Sequence, residues 1–283
     1  MLPEEFVRRL NDREYINWVK AGRCLVILKE GLLPHTNQLT RAFHGDLLNQ
    51  SSLLRKPCQT SSCKSKGNKL LSPCRGCTEW QTVILKHHRQ PDATVNWDNC
   101  SPPSWRTDHW ELAKAYMPRG QGKKGANQCD ASALLNLINY CDCFRSVDPK
   151  LVREDEWMRR YQTALKSFMQ QFSHVSQMTT AAKQIEEMLA LDLSIRISDV
   201  DQIDSAHLES LQTDSLSQWE SKANFISQWE AELLQEKLQE LLLDVDDVKT
   251  QDTRVKSLGT FLQANRDLGE RFSAELRVIE ARE

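Results

Sequence analysis

Four cysteines in the pattern Cys58-x4-Cys63-x10-Cys74-x2-Cys77 place four soft sulfur ligands within twenty residues. Thiolates on such short loops suit a Zn²⁺ ion, which takes four sulfur or imidazole ligands in a tetrahedron. Gly76, inside the two-residue knuckle, is expected to permit the tight turn that aims both sulfurs at one centre. His87, His88 and Cys100 are reserve ligands; the two histidines would reach the site only if the chain folded back. Four cysteines close the coordination shell, whereas a catalytic zinc keeps one position open for water. The expected cofactor is therefore a structural Zn²⁺, and no catalytic residue is assigned.

The segment around these cysteines has little else to order it. Fixing backbone costs about 1–2 kcal/mol per residue, and Leu70 and Leu71 are the sole large apolar side chains from Arg55 to Cys77. The segment is also basic: Arg55, Lys56, Lys64, Lys66, Lys69, Arg75, Lys86 and Arg89 face one acid, Glu79, between residues 55 and 90. That excess suits phosphate oxygens, which makes RNA a candidate partner, with Trp80, Trp97 and Trp105 able to stack bases if exposed. The preferred reading is plainer: the lysines offset the negative charge of four thiolates on one Zn²⁺, and the tryptophans are core.

The elements that must position the cysteines read as helices. Tyr15, Trp18, Val19, Leu25, Leu28 and Leu32 form a helical stripe over Asp12 to Leu33, and Pro34 is expected to end it before a second helix from Thr36 to Leu48. Periodicity vanishes from Asn49 to Pro73 and resumes over Thr78 to His88. Asp108 can cap a helix carrying Trp110, Leu112, Ala113 and Tyr116, Asp130 opens an apolar helix through Leu134 to Cys141, and a further helix is expected from about Pro149 to Phe172. Gly120-x-Gly122-x-x-Gly125 matches a dinucleotide fingerprint by letter. It follows a helix instead of a strand, so it is read as a loop. Cys129, Cys141 and Cys143 are read as small core residues.

Charge divides the chain. Residues 1 to 143 hold 20 Lys plus Arg against 13 Asp plus Glu, a net +7; the remainder, 17 against 26, carries −9. All nine cysteines lie in the first part. Residues 192 to 216 carry six acids, one arginine and five serines without a stripe, which reads as an exposed linker. Beyond it, Ile226, Trp229, Leu233, Leu234, Leu238, Leu241 and Val245 step by three and four, as do Leu258, Phe261, Leu262, Leu268, Phe272, Leu276 and Ile279. Two such seams are too apolar to leave wet and should close as an antiparallel hairpin or a coiled coil. With 40% apolar and 27% charged residues the composition is that of a globular protein. The longest apolar run, Cys24 to Leu28, is far short of the ~20 residues of a membrane span. The start Met1-Leu2-Pro3-Glu4-Glu5 lacks a basic leader, so an intracellular, reducing compartment (cytoplasm or nucleus) is expected, where clustered thiols serve metals more than disulfides.

Several local patterns carry a family resemblance: residues 15 to 22 (Tyr-Ile-Asn-Trp-Val-Lys-Ala-Gly), Cys74-x-x-Cys77 leading into Glu79-Trp80, His87-His88, Trp97-x-Asn99-Cys100, residues 113 to 120 (Ala-Lys-Ala-Tyr-Met-Pro-Arg-Gly) and Cys129-Asp130. In these the chain resembles the vertebrate X-chromosome open reading frame thirty-eight family, over most of residues 10 to 145 and more loosely at Leu233 to Leu241 and the last helix. The stretch from Trp110 to Phe144 also looks like the start of a HEPN-type helical domain, which implies an all-α bundle. In that domain type an Arg-Asn-x-x-x-His motif can serve metal-independent RNA cleavage. This sequence has no such motif, and after Phe144 it passes quickly to residues 156 to 160 (Glu-Trp-Met-Arg-Arg), as if the motif-bearing segment were shortened.

Together these readings give an all-α, HEPN-like helical bundle with an inserted zinc-knuckle loop and a C-terminal helical hairpin or coiled coil. The expected domains are 1–175 with the cysteine-rich loop at about 55–100, an acidic linker with a short helix at 176–216, and an amphipathic hairpin at 217–283. The expected function is that of a non-enzymatic interaction module that recruits a protein partner, or a second copy of the chain, through its C-terminal helices. The alternative is RNA binding or HEPN-related RNA processing at the basic loop. No membrane partner is expected.

Overall fold

The computed structural model describes residues 4–59, 63–90, 95–121, 125–147, 168–191, 193, 223–235, 238 and 248–281. The described chain is mostly helical, as expected, with one two-stranded antiparallel sheet. Helix α1 spans Glu4–Asn11 and α2 Arg13–Gln50. Strands β1 (Lys64–Lys66) and β2 (Lys69–Leu71) precede α3 (Arg75–Lys86), α4 (His109–Ala113) and α5 (Ala131–Tyr140). Then come α6 (Ser176–Ala190), α7 (223–235), α8 (Val248–Ala264), α9 (Arg266–Arg271) and α10 (Ser273–Glu280). Among the described residues no helix is long and apolar enough to cross a membrane.

Where two helices are expected on either side of Pro34, a single 38-residue helix runs through it. A proline at this position removes one backbone N–H, here the one that would bond Glu30, and such a loss ordinarily ends a helix. The stripe continues unbroken across it, with Leu28 and Leu32 before and Thr36, Thr40, His44 and Leu47 after, all buried. Packing therefore outweighs the local cost. The Thr36 hydroxyl donates to the Leu32 and Leu33 carbonyls (3.0 and 3.1 Å), supplying donors in the same turn.

The chain divides into two compact units, Met1–Cys24 with Glu187–Glu283, and Leu25–Glu186. These limits differ from those expected at 175 and 216. Most of the expected linker, and the expected helix over 149–172 except its end, lie outside the described residues. The expected linker includes a short helix, and its described part holds α6, fifteen residues long, which buries Met178, Ala181, Ile185 and Met188.

In the first unit, α8 packs on α9 and α10, and Leu262, Leu268, Phe272 and Ile279 close with Leu234 and Leu238 into one core. A second cluster joins Phe6, Leu10 and Val19 to Ala223 and Ile226. Among the described residues the C-terminal seams are thus filled from within the chain; Leu241 and Val245 lie outside the described residues. Between these clusters lies a buried polar network that sequence spacing does not announce. Arg9 donates to Asp267 (2.7 and 3.1 Å) and Asn265 (3.0 Å), and its Nε lies 3.1 Å from Glu230, which also accepts from the Tyr15 hydroxyl. Burial pushes the Glu230 carboxyl up to about 7, with the charge of Asp267 adding to the rise and Arg9 opposing it.

The second unit is centred on Leu28, Leu32, Trp80, Ile84, Trp105, Leu112, Tyr116, Leu134, Leu137 and Ile138, all buried. Asp108 and Asp130 cap α4 and α5 as expected, accepting from the N–H groups of Trp110 (2.8 Å) and Ala133 (2.7 Å). Asn99, 3% exposed, ties the loops together. Its side-chain amide donates to the carbonyls of Lys114, Met117 and Pro118, and its oxygen accepts from the Gln121 N–H.

Candidate metal centre

Cys58 lies just past the turn that follows α2, Cys63 immediately precedes β1, Cys74 is the N-cap of α3, and Cys77 sits in the first turn of that helix. The hairpin between them is as short as a hairpin can be. Gly67 and Asn68 both take positive φ (58° and 59°), the type I′ geometry whose twist matches that of the strands. Register follows as Lys64 opposite Leu71, Ser65 opposite Leu70 and Lys66 opposite Lys69. Ser72, also at positive φ (41°), then turns the chain into Pro73 and Cys74.

This path brings the four sulfurs together, all within 4.8 Å of one another. Cys58 Sγ lies 3.8 Å from Cys74 Sγ and 3.6 Å from Cys77 Sγ. A tetrahedron of thiolates at about 2.3 Å from Zn²⁺ has edges of about 3.8 Å, so these separations fit one shared ion. They are far longer than the ~2.0 Å of a disulfide, and all nine cysteines are free thiols. Gly76 does not serve as expected. It lies within α3, and a Cβ there would meet nothing closer than 3.7 Å. The helix terminus itself aims Cys74 and Cys77, because residues i and i+3 share a face.

The electrostatics favour anionic sulfur at Cys74 and oppose it at Cys77. Cys63 Sγ accepts from the Cys74 N–H at 3.2 Å. Burial pushes the Cys74 thiol up, but backbone N–H groups of Cys77 and Gln59 and the thiols of Cys77 and Cys58 outweigh it and bring it down to about 6. Burial, then hydrogen bonding to Cys58 and Cys74, pushes the Cys77 thiol up. One thiolate is thus preformed at a helix N-terminus, where the dipole assists it, and a cation would release the remaining protons.

The three reserve ligands are placed elsewhere. His87 Nδ1 contacts both Asp142 carboxylate oxygens (2.9 and 3.0 Å), and its ring meets Phe43 edge-on. His88 stacks between Tyr116 and Tyr140 and pairs with Cys141 in an isolated antiparallel bridge. Cys100 is buried, which pushes its thiol up. Asp142, the partner of His87, lies 55 residues away in sequence, beyond the reach of any local pattern. The tryptophans are also unavailable to bases: Trp80, Trp97 and Trp105 are 2%, 7% and 0% exposed and belong to the core. Cys129 and Cys141 are buried as expected; Cys143 is half-buried with its sulfur 3.2 Å from that of Cys141. Gly120 (φ 90°) turns after a 3-10 segment, not after a strand, and residues 122–124 lie outside the described set.

Residues 9–282 match the family described as Domain of unknown function (DUF4559). The mouse (Mus musculus) protein described as "Uncharacterized protein CXorf38 homolog" is 34% identical over 309 residues, covering 99% of this chain and 93% of that one. No solved structure matches.

Proposed function

The chain belongs to the DUF4559 family of CXorf38-like proteins, and from that premise we propose that it is an intracellular, zinc-stapled helical protein that works as a non-enzymatic protein-interaction module. The observation that carries the zinc reading is the packing of Cys58, Cys63, Cys74 and Cys77 sulfurs within 4.8 Å. Four thiolates leave no position for substrate or water, so the ion holds the hairpin against α3 and does no chemistry of its own. A reducing compartment is part of the same reading, because the ligands must remain thiols.

The interaction part of the proposal rests on the first unit. The described part of its C-terminal seams closes internally, so the partner surface is sought on what stays exposed. Phe225 is 55% and Trp18 43% exposed, each beside a further aromatic, Trp229 and Tyr15. Exposed aromatic side chains of this size are the residues on which protein interfaces concentrate their binding energy. The HEPN-like character of residues 110–144 belongs to this proposal, supported by helical content and the Asp130-capped α5; lack of the Arg-Asn-x-x-x-His motif argues against RNA cleavage.

The test is elemental analysis of protein purified under reducing conditions without added chelator. One zinc per chain is expected; a metal-free yet folded protein would sink the zinc reading. For the interaction, Phe225→Ser and Trp18→Ser should leave zinc content and melting unchanged while releasing a co-purifying protein partner. Retention of that partner by both variants would overturn the assignment of this surface.

A further inference from the structure

The hairpin between the cysteines has two faces. Its alternation buries Ser65 and Leu70 partly and leaves Lys64, Lys66, Lys69 and Leu71 exposed. Side chains two apart on a strand lie about 6.7 Å apart on one face, and Lys66 and Lys69 are directly opposite each other across the ladder. Three lysines are thereby held on one small surface, although like charges facing each other destabilise a hairpin. Arg55, Lys56 and Arg75 are exposed in the adjoining turn and the first turn of α3.

Some exposed cations elsewhere in the molecule are held by carboxylates: Arg145 bonds Asp142 and Arg266 bonds Glu270. None of the six cations around the hairpin has an ion pair among the described residues. Backbone N–H groups, not these lysines, are what contacts the sulfurs. The Cys74 N–H donates to Cys63, the N–H groups of Cys77 and Gln59 donate to Cys74, and the lysines extend from the face opposite Ser65 and Leu70. The chain as a whole carries a net charge of −2, so attraction to a polyanion would have to come from such a local surface.

The geometry points to Lys64, Lys66 and Lys69 on the exposed face of the hairpin as a docking surface for the phosphodiester backbone of a nucleic-acid duplex, bound without reading its bases. A duplex is favoured over a single strand because single-strand binding relies on stacking aromatics, and the tryptophans of this region are buried. Charge alone then selects the ligand with the denser phosphates. Sequence is not read, since lysines that meet phosphates carry no base information.

The experiment uses the full, zinc-loaded chain and fluorescence anisotropy with labelled 20-base-pair (about two turns) RNA and DNA duplexes of arbitrary sequence. Each phosphate contact contributes about −0.9 to the slope of log K against log salt, so three lysines contribute about −2.7, a roughly fortyfold loss of affinity from 50 to 200 mM salt. The variant K64E/K66E/K69E should abolish binding, and K64Q/K66Q/K69Q should flatten the slope by about 2.7. The control R8E/R13E/R277E changes net charge equally at exposed sites in the other unit and should bind as the parent does. Zinc content measured on the same samples reads loss of the metal separately from loss of the duplex. Failure of both duplexes to bind at 50 mM salt, equal loss in the control, or binding confined to vesicles containing phosphatidylserine would overturn the proposal.

Discussion

Replacing Cys74 by serine isolates the metal from every other role of that position. Cys74 is the N-cap of α3, with extended backbone (φ −69°, ψ 165°), and serine is among the best N-cap residues, so the helix end survives the change. What is lost is the sulfur poised by the Cys77 and Gln59 N–H groups to be the first anionic ligand. A structural zinc contributes about 10–16 kcal/mol in small peptides, or roughly 2.5–4 kcal/mol for each of four ligands. At 1.4 kcal/mol per decade, Cys74→Ser should weaken zinc binding about a hundred- to a thousandfold. After dialysis against a chelator of intermediate affinity, the parent should retain one zinc per chain and the variant almost none. Limited trypsin digestion provides a second readout, because Lys64, Lys66 and Lys69 lie in the exposed hairpin. The parent should resist cleavage there and Cys74→Ser should be nicked within minutes. A parent without zinc, or a variant with the same zinc content and the same protection, would refute the reasoning.

Other perturbations test the surrounding structure. Glu230 is raised from 4.5 to about 7 by burial, so the folded state holds a proton that the unfolded state has released. Its contribution to stability is therefore fully present below about pH 4.5 and is lost as pH rises through about 7, by at most about 3 kcal/mol. Urea midpoints from pH 4.5 to 8 should show this decline, and Glu230→Gln should flatten it. Asn99→Ala leaves buried carbonyls and an N–H without their partner and should cost about 2–4 kcal/mol in chemical denaturation. Pro34→Ala restores an N–H opposite the Glu30 carbonyl and removes a ring from the helix interior; calorimetry should show a higher melting temperature, by up to about 3 kcal/mol in stability. Gly269→Ala would place a Cβ 2.8 Å from the Leu262 carbonyl oxygen and should destabilise by about 1–3 kcal/mol in the same assay.

The cysteine set was legible because loop spacing is itself the geometric constraint: two residues between Cys74 and Cys77 bring both sulfurs to one end of a helix. The N-caps Asp108 and Asp130 were legible for the same reason, being local. What the sequence concealed depends on distant partners. Arg9 reads as an ordinary charge on a helix, and its carboxylates come from 221 and 258 residues away. His87 and His88 resemble ligands by type, yet Asp142 and two tyrosines take them up. Pro34 misled because a rule about local hydrogen bonding was overridden by burial along the whole of α2. The tryptophans near the basic segment are core, as the sequence reading preferred.

The three residues Trp97, Asp98 and Asn99 touch both the hairpin and the segment after α4. The Asp98 carboxylate holds the hairpin tip through the Asn68 N–H (2.7 Å), Trp97 meets Trp105 edge-on, and Asn99 grips the carbonyls of Lys114 to Pro118. Coordination at the sulfurs and order in the loops beyond α4 therefore share one fulcrum. Stripping the ion should register not as a local fraying but as faster amide exchange at those distant loops, the signature of a cooperative folding unit larger than the knuckle itself.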